Sequence, residues 1–149
     1  MSKLEIEMPN KYWFSVEIPI RFMDVRNAAV VGTNVSHMVF DMYLSLVNEA
    51  FDCFLANYGF SKTNIAGVNL IIPNTSAVYK SEISTGDMVK IEISPSNFEA
   101  KGCDIFFKFS KKEGTIEVAD IRLGILFFDY ASHKTVPVPE KFRSLFIEK

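Results

Sequence analysis

One long stretch of this chain repeats at helical spacing. Between about residues 37 and 58, Phe40, Tyr43, Leu44, Val47, Phe51, Phe54, Leu55 and Tyr58 fall on one stripe of a 3.6-residue period. Gly59 follows as a C-terminal stop. About 20 residues at 1.5 Å each predict a rod of roughly 30 Å. Its polar flank carries Asp41, Ser45, Asn48 and Asp52, and a third face carries Met42, Leu46, Glu49 and Cys53, with Glu49 the single acid there. An apolar stripe must be buried on something, and the rest of the chain offers strands.

Residues 14–22 (FSVEIPIRF) alternate apolar and polar, the period of a strand with one buried face. Pro19 cannot donate to a ladder, so it predicts an edge or a bulge. After the helix come strands over residues 68–80, from Gly86-Asp87 into MVKIEIS, from Lys101-Gly102 into CDIFFKFS, and from Glu113-Gly114 into TIEVADIRLGILFFDY. The regular glycine turns predict an antiparallel meander. The last strand is apolar on both faces near residues 125–128, which predicts burial on both sides there. The tail VPVPEKFRSLF ends in a short helical pattern. One strand, one long helix and about four antiparallel strands make an α+β domain, residues 1–149 as a single unit, with a curved antiparallel sheet wrapped around the helix.

Composition narrows the function. The chain is 48% hydrophobic with 14 phenylalanines, a globular makeup able to bury a core. A net charge of −2 without a Lys/Arg cluster gives no footprint for nucleic acid. Two histidines, His37 and His133, cannot make a histidine metal cluster, and Cys53 and Cys103 lack metal spacing, so two reduced, buried thiols and no metal site are expected. The N-terminus lacks a signal-peptide pattern and no apolar run approaches 18 residues, so the expectation is a cytoplasmic chain without a membrane span.

The motifs add a resemblance. Arg21-Phe22-Met23-Asp24 closes the first strand; Ser36-His37-Met38-Val39-Phe40 leads into Tyr43-Leu44 and Asn48-Glu49-Ala50; Tyr79 and Gly86-Asp87 follow; Val138-Pro139-Glu140-Lys141-Phe142-Arg143 ends the series. In this order and spacing they resemble the hotdog-fold acyl-CoA thioesterases, in the 4-hydroxybenzoyl-CoA thioesterase-like branch, over residues 14–143. The resemblance implies hydrolysis of an acyl-CoA, no cofactor beyond the CoA of the substrate, and a homodimer or homotetramer with the site between protomers. Departures are visible. The second acid of the loop, commonly the catalytic one in that family, is Arg26 here; Ser36 replaces a glycine, Val39-Phe40 replace an asparagine pair, and the loop is longer.

Thioester hydrolysis needs a base or a carboxylate nucleophile, and donors for the thioester oxygen. Asp24 and Glu49 are the candidate carboxylates, and His37 is a candidate to bind the carbonyl or orient water near the helix start. Each has a plain structural alternative: Asp24 as a turn residue, Glu49 as a surface or interface acid, His37 or Ser36 as a helix cap. Thr33, Asn34 and Ser36 are polar groups that could hold the thioester or satisfy their own loop. Tyr43 and Tyr79 could line the acyl pocket or serve as core aromatics, and Lys80 could meet a CoA phosphate or stay solvated. No nucleophile elbow surrounds Ser36. Two other functions compete: a non-catalytic acyl-thioester-binding protein, favoured by Arg26, and a dehydratase using His37 and Glu49, opposed by the absence of Pro-Gly before the helix.

Overall fold

The computed structural model describes residues 4–21, 26–27, 36–37 and 40–147, with side chains except at 26–27, 36–37 and 40–41. The helix, α1, spans Phe40–Asn57. The strands are β1 (Phe14–Pro19), β2 (Arg26–Asn27), β3 (Ser36–His37), β4 (Asn69–Tyr79), β5 (Met88–Ser96), β6 (Gly102–Lys111), β7 (Ile116–Asp129) and β8 (Lys134–Thr135). A four-residue helix, α2 (Glu140–Arg143), and a 3-10 turn (Ser144–Phe146) close the described chain.

Six strands form one antiparallel sheet in the order β1-β5-β6-β7-β4, with β8 added to the end of β7. The meander read from the glycine turns is present over β5-β6-β7 only: β4 crosses the sheet to pair with β7 rather than with β5, and β1 pairs with β5, so among the described residues β1 and β4 are the two edges. Pro19 is the last residue of edge strand β1, where its missing N–H interrupts nothing central.

The helix stripe does what its period requires. Val47, Ala50, Phe51, Phe54 and Leu55 are buried, facing Ile91 and Ile93 of β5, Phe107 and Phe109 of β6 and Ile121 of β7. Ring contacts tie the layers together: Phe51 meets Phe107 edge-on at 5.9 Å, and Phe54 meets Phe14 of β1 at 5.9 Å. Phe146 of the tail packs on Phe54 and Tyr58 and closes the C-terminal end of the helix. Gly59 ends the helix at φ 81°, a conformation costly for any residue with a Cβ.

Four details differ from expectation. The described helix starts at Phe40, and Ser36 and His37 instead pair with β2 as the two-residue strand β3. Apolar Met38, Val39 and Phe40 suit either element, so periodicity could not place that boundary. Gly102 is the first residue of β6, opposite Leu126, and not a turn residue; the chain reverses through Asn97 at φ 53°. Burial on both faces of β7 is strongest at residues 118–121, while Leu126 and Phe128 are half-buried. There Asp120 is only 8% exposed, and Lys80 covers it with an ion pair at 3.0 Å. Of the two free thiols, Cys103 is buried as expected, but Cys53 is only half-buried, because it lies on the mixed flank of α1.

On the face away from α1, Arg122 of β7 donates to Asp104 of β6 at 2.7 Å, and to Asn74 (2.6 Å) and Ser76 (3.1 Å) of β4. One guanidinium thus fixes edge strand β4 to two inner strands through charge-assisted bonds.

Candidate active site

The spacing of α1 sends its two flanks toward opposite edges of the sheet. On the β1 side, Ser45, Leu46 and Glu49 face Ile18, Pro19 and Arg21 across a cleft of about 380 Å3. β1 places Ile18 there because its alternation turns every second residue toward the helix. The exposed Glu49 carboxylate stands at this cleft with Cys53 one turn below, and the Cys53 thiol donates to Glu49 Oε1 at 3.9 Å. Burial, then the neighbouring charges of Glu49 and Asp52, push the Cys53 thiol up, so it stays protonated and is a poor nucleophile.

Glu49 is thus an exposed carboxylate at the edge of a cleft that also has apolar walls. Arg21, Ile18, Pro19 and Leu46 are its neighbours in the cleft, and sequence reading did not assign them a role. The alternation of β1 and the i, i+3 spacing of Leu46 and Glu49 were the available signals; which strand faces which flank is a long-range fact.

The preceding loop is described only in part. In the β2–β3 ladder, Arg26 lies opposite His37 and Asn27 opposite Ser36. The register therefore sets the position of the altered loop acid directly across from the histidine. Asp24, Thr33 and Asn34 lie outside the described residues.

The remaining candidates separate. Tyr43 packs against Tyr79 at 4.8 Å, and its hydroxyl donates to the Ser81 carbonyl at 3.3 Å. Burial, then Tyr79 and Glu82, raise the Tyr43 hydroxyl to about 12, so it remains a neutral donor. Tyr79 is 45% exposed on edge strand β4. Lys80 is held by Asp120 at 3.0 Å and Glu117 at 3.3 Å, and these two acids, the bond to Asp120 first, raise its pKa. The aromatic pair borders β4 and Glu49 borders β1, so a protomer does not gather them in one cleft. Among the described residues no cluster of His, Cys, Asp and Glu could hold a metal ion, and no helix is long and apolar enough to cross a membrane.

The family model of the thioesterase-like superfamily matches residues 15–146. Among curated proteins none matches the sequence. Among solved structures, a 1,4-dihydroxy-2-naphthoyl-CoA thioesterase from Synechocystis superposes with a TM-score of 0.75 at 18% identity, over 89% of this chain and 94% of that one. A gentisyl-coenzyme A thioesterase superposes at 0.73 and 18% identity, over 90% and 100%. A Staphylococcus aureus protein solved in complex with CoA superposes at 0.73 and 17% identity, over 94% and 84%. At such identities the likeness shows the shared hotdog fold. With the family model covering nearly the whole chain, this protein belongs to the thioesterase-like superfamily.

Proposed function

We propose that the chain is a cytoplasmic acyl-CoA thioesterase, hydrolysing a short- to medium-chain or aromatic acyl-CoA to the free acid and CoA. The observation that carries this reading is the cleft of about 380 Å3 in which the Glu49 carboxylate meets the apolar side chains of Ile18, Pro19 and Leu46. Apolar walls suit an acyl group, and a carboxylate at their rim suits proton transfer. Glu49 takes a proton from water; the water oxygen bonds the thioester carbon; the C–S bond breaks; the leaving thiolate receives the proton that Glu49 held. Backbone N–H groups in the first turn of α1 have no partners within the helix, and they stabilise the oxyanion. Asp24 is the alternative base, and His37 orients the carbonyl or the water. Thr33, Asn34 and Ser36 bond the thioester from the loop, while Tyr43 and Tyr79, paired on the β4 side, stay outside the Glu49 cleft. These steps draw on no metal or redox cofactor.

The sheet is proposed to curve around α1, and the working unit is a homodimer or a dimer of such dimers. β4 is an 11-residue edge strand, and an unpaired edge of that length is a template for a second copy. Its register shifts between Ile71 and Asn74, so the uninterrupted ladder runs over residues 74–79. Antiparallel pairing of two such runs would cover Tyr79 and bring the β4-side flanks of two helices together.

A second reading is an acyl-thioester-binding protein without hydrolysis. The pairing of Arg26 with His37, where related sequences carry an acid, favours it. Free-thiol release from acyl-CoAs spanning acetyl to palmitoyl, with benzoyl and phenylacetyl, decides between the two. Turnover that Glu49→Gln or Asp24→Asn abolishes supports the enzyme and names its base. Binding without release supports the second reading.

A further inference from the structure

On the outer face of the sheet, two charged clamps tie β4 to β7. Arg122 stands directly opposite Ser76 in the ladder and donates to Ser76 Oγ at 3.1 Å, to Asn74 Oδ1 at 2.6 Å and to Asp104 Oδ1 at 2.7 Å. Gly124 makes room for this fork, because a Cβ there would collide with Asn74 Oδ1. Further along, Lys80 bonds Asp120 at 3.0 Å and Glu117 at 3.3 Å. Asn74, Ser76 and Lys80 thus lie on the outer face. Ala77 packs against the core and Tyr79 against Tyr43 of α1, so the odd-numbered residues of this run face the helix.

These placements restrict how β4 can meet a second copy of itself. Among the described residues β4 pairs with β7 alone. The Lys80 N–H donates to the Val118 carbonyl at 2.8 Å, so by alternation the peptide groups of Thr75, Ala77 and Tyr79 point outward from the edge. Residues directly opposite each other in an antiparallel pair share a face. Two identical strands related by a two-fold axis therefore pair residues of like parity, and the axis passes through a residue. Near the middle of residues 74–79 that residue is Ser76 or Ala77. Centring on Ser76 sets Pro73, which lacks an N–H, opposite the partner's Tyr79. It also brings together two serines that each already hold a guanidinium. Centring on Ala77 sets Thr75 opposite the partner's Tyr79, and the three outward residues of each strand donate and accept without meeting the bulge between Ile71 and Asn74.

We propose that two copies join β4 to β4 in antiparallel register about Ala77, and that Arg122 is the positioning residue that selects this register by holding Asn74 and Ser76 to the outer face. The proposal rests on the assembly reading above and adds the residue at the axis and the residue that sets it. Each Tyr43–Tyr79 pair then meets Thr75 of the partner subunit on the helix face. Loss of the clamp removes no interface atom, but it leaves the edge less preordered, and ordering it is then a cost of association.

The test is disulfide trapping in the full chain carrying Cys53→Ser, since Cys53 is a half-buried free thiol. Ala77→Cys should cross-link to its own copy under mild oxidation, because facing Cα atoms lie about 5.5 Å apart, within disulfide reach. Ser76→Cys should give little covalent dimer. As Ala77 packs on the core, a mixture of Thr75→Cys and Tyr79→Cys chains gives a second reading, with cross-links formed between the two kinds of chain. Arg122→Met combined with Asp104→Asn removes the clamp without stranding a carboxylate. It should raise the dimer dissociation constant roughly tenfold in sedimentation and lower the Ala77→Cys yield relative to Ser76→Cys. A purely structural role for Arg122 would lower stability and leave that ratio unchanged, which overturns its part in the proposal. Wild-type dimers that cross-link at Ser76→Cys, or at none of these positions, overturn the register and leave the assembly. A wild type that sediments as a monomer overturns both. Thiol release by the wild type is read separately, so hydrolysis stands or falls on its own.

Discussion

The two flanks of α1 carry different chemistry. The β1 flank carries a carboxylate, a protonated thiol and apolar neighbours. The β4 flank carries amides, a neutralised lysine and an open strand edge. We propose that a single helix thus gives one side for moving a proton and another for meeting a second protomer. What both share is the stripe of Val47, Phe51 and Phe54 beneath them, which fixes the rotation of the helix and so decides which residue reaches which flank.

Breaking that shared foundation has the largest effect. Phe54 is fully buried and touches Phe14, Phe51, Tyr58 and Phe146. Phe54→Ala should cost about 3–5 kcal/mol by denaturant unfolding, with loss of function on both flanks. Glu49→Gln should act on one flank alone: a fall in kcat of about 10²–10⁴ with unchanged stability. A loss of stability in that variant would show that Glu49 serves the fold and not one flank alone.

Much of the fold beneath these flanks was legible in the sequence, and the limits of that reading have physical causes. The helical stripe, the strand alternation and most glycine turns are local signals, and the corresponding elements are present. Glu49 stood out because it is the only acid on its face. The cleft around it did not, since Ile18 and Arg21 meet it only through the packing of α1 on β1. Lys80 reads as a solvated cation, but Glu117, 37 residues away, and Asp120 claim it through the β4–β7 pairing. The β2–β3 ladder is two residues long on each side, too short for any period to announce.

Smaller effects sharpen the contrast. Thr75→Lys, an exposed position in the uninterrupted ladder of β4, should shift sedimentation toward the monomer while leaving Glu49 and its cleft in place. Tyr43 gives a pH signature. Its hydroxyl is raised from 10 to about 12, so the folded state keeps a proton that the unfolded chain loses. That contribution is complete below pH 10 and is lost as pH rises toward 12. Unfolding measured across this window should show a shallower decline for Tyr43→Phe than for the wild type.

The most direct measurement is thiol release from the acyl-CoA panel by wild-type protein and by Glu49→Gln, at matched concentration and with folding confirmed. Turnover by the wild type that falls at least a hundredfold in the variant is the predicted result. Equal turnover by both proteins would contradict the assignment of the proton-moving flank.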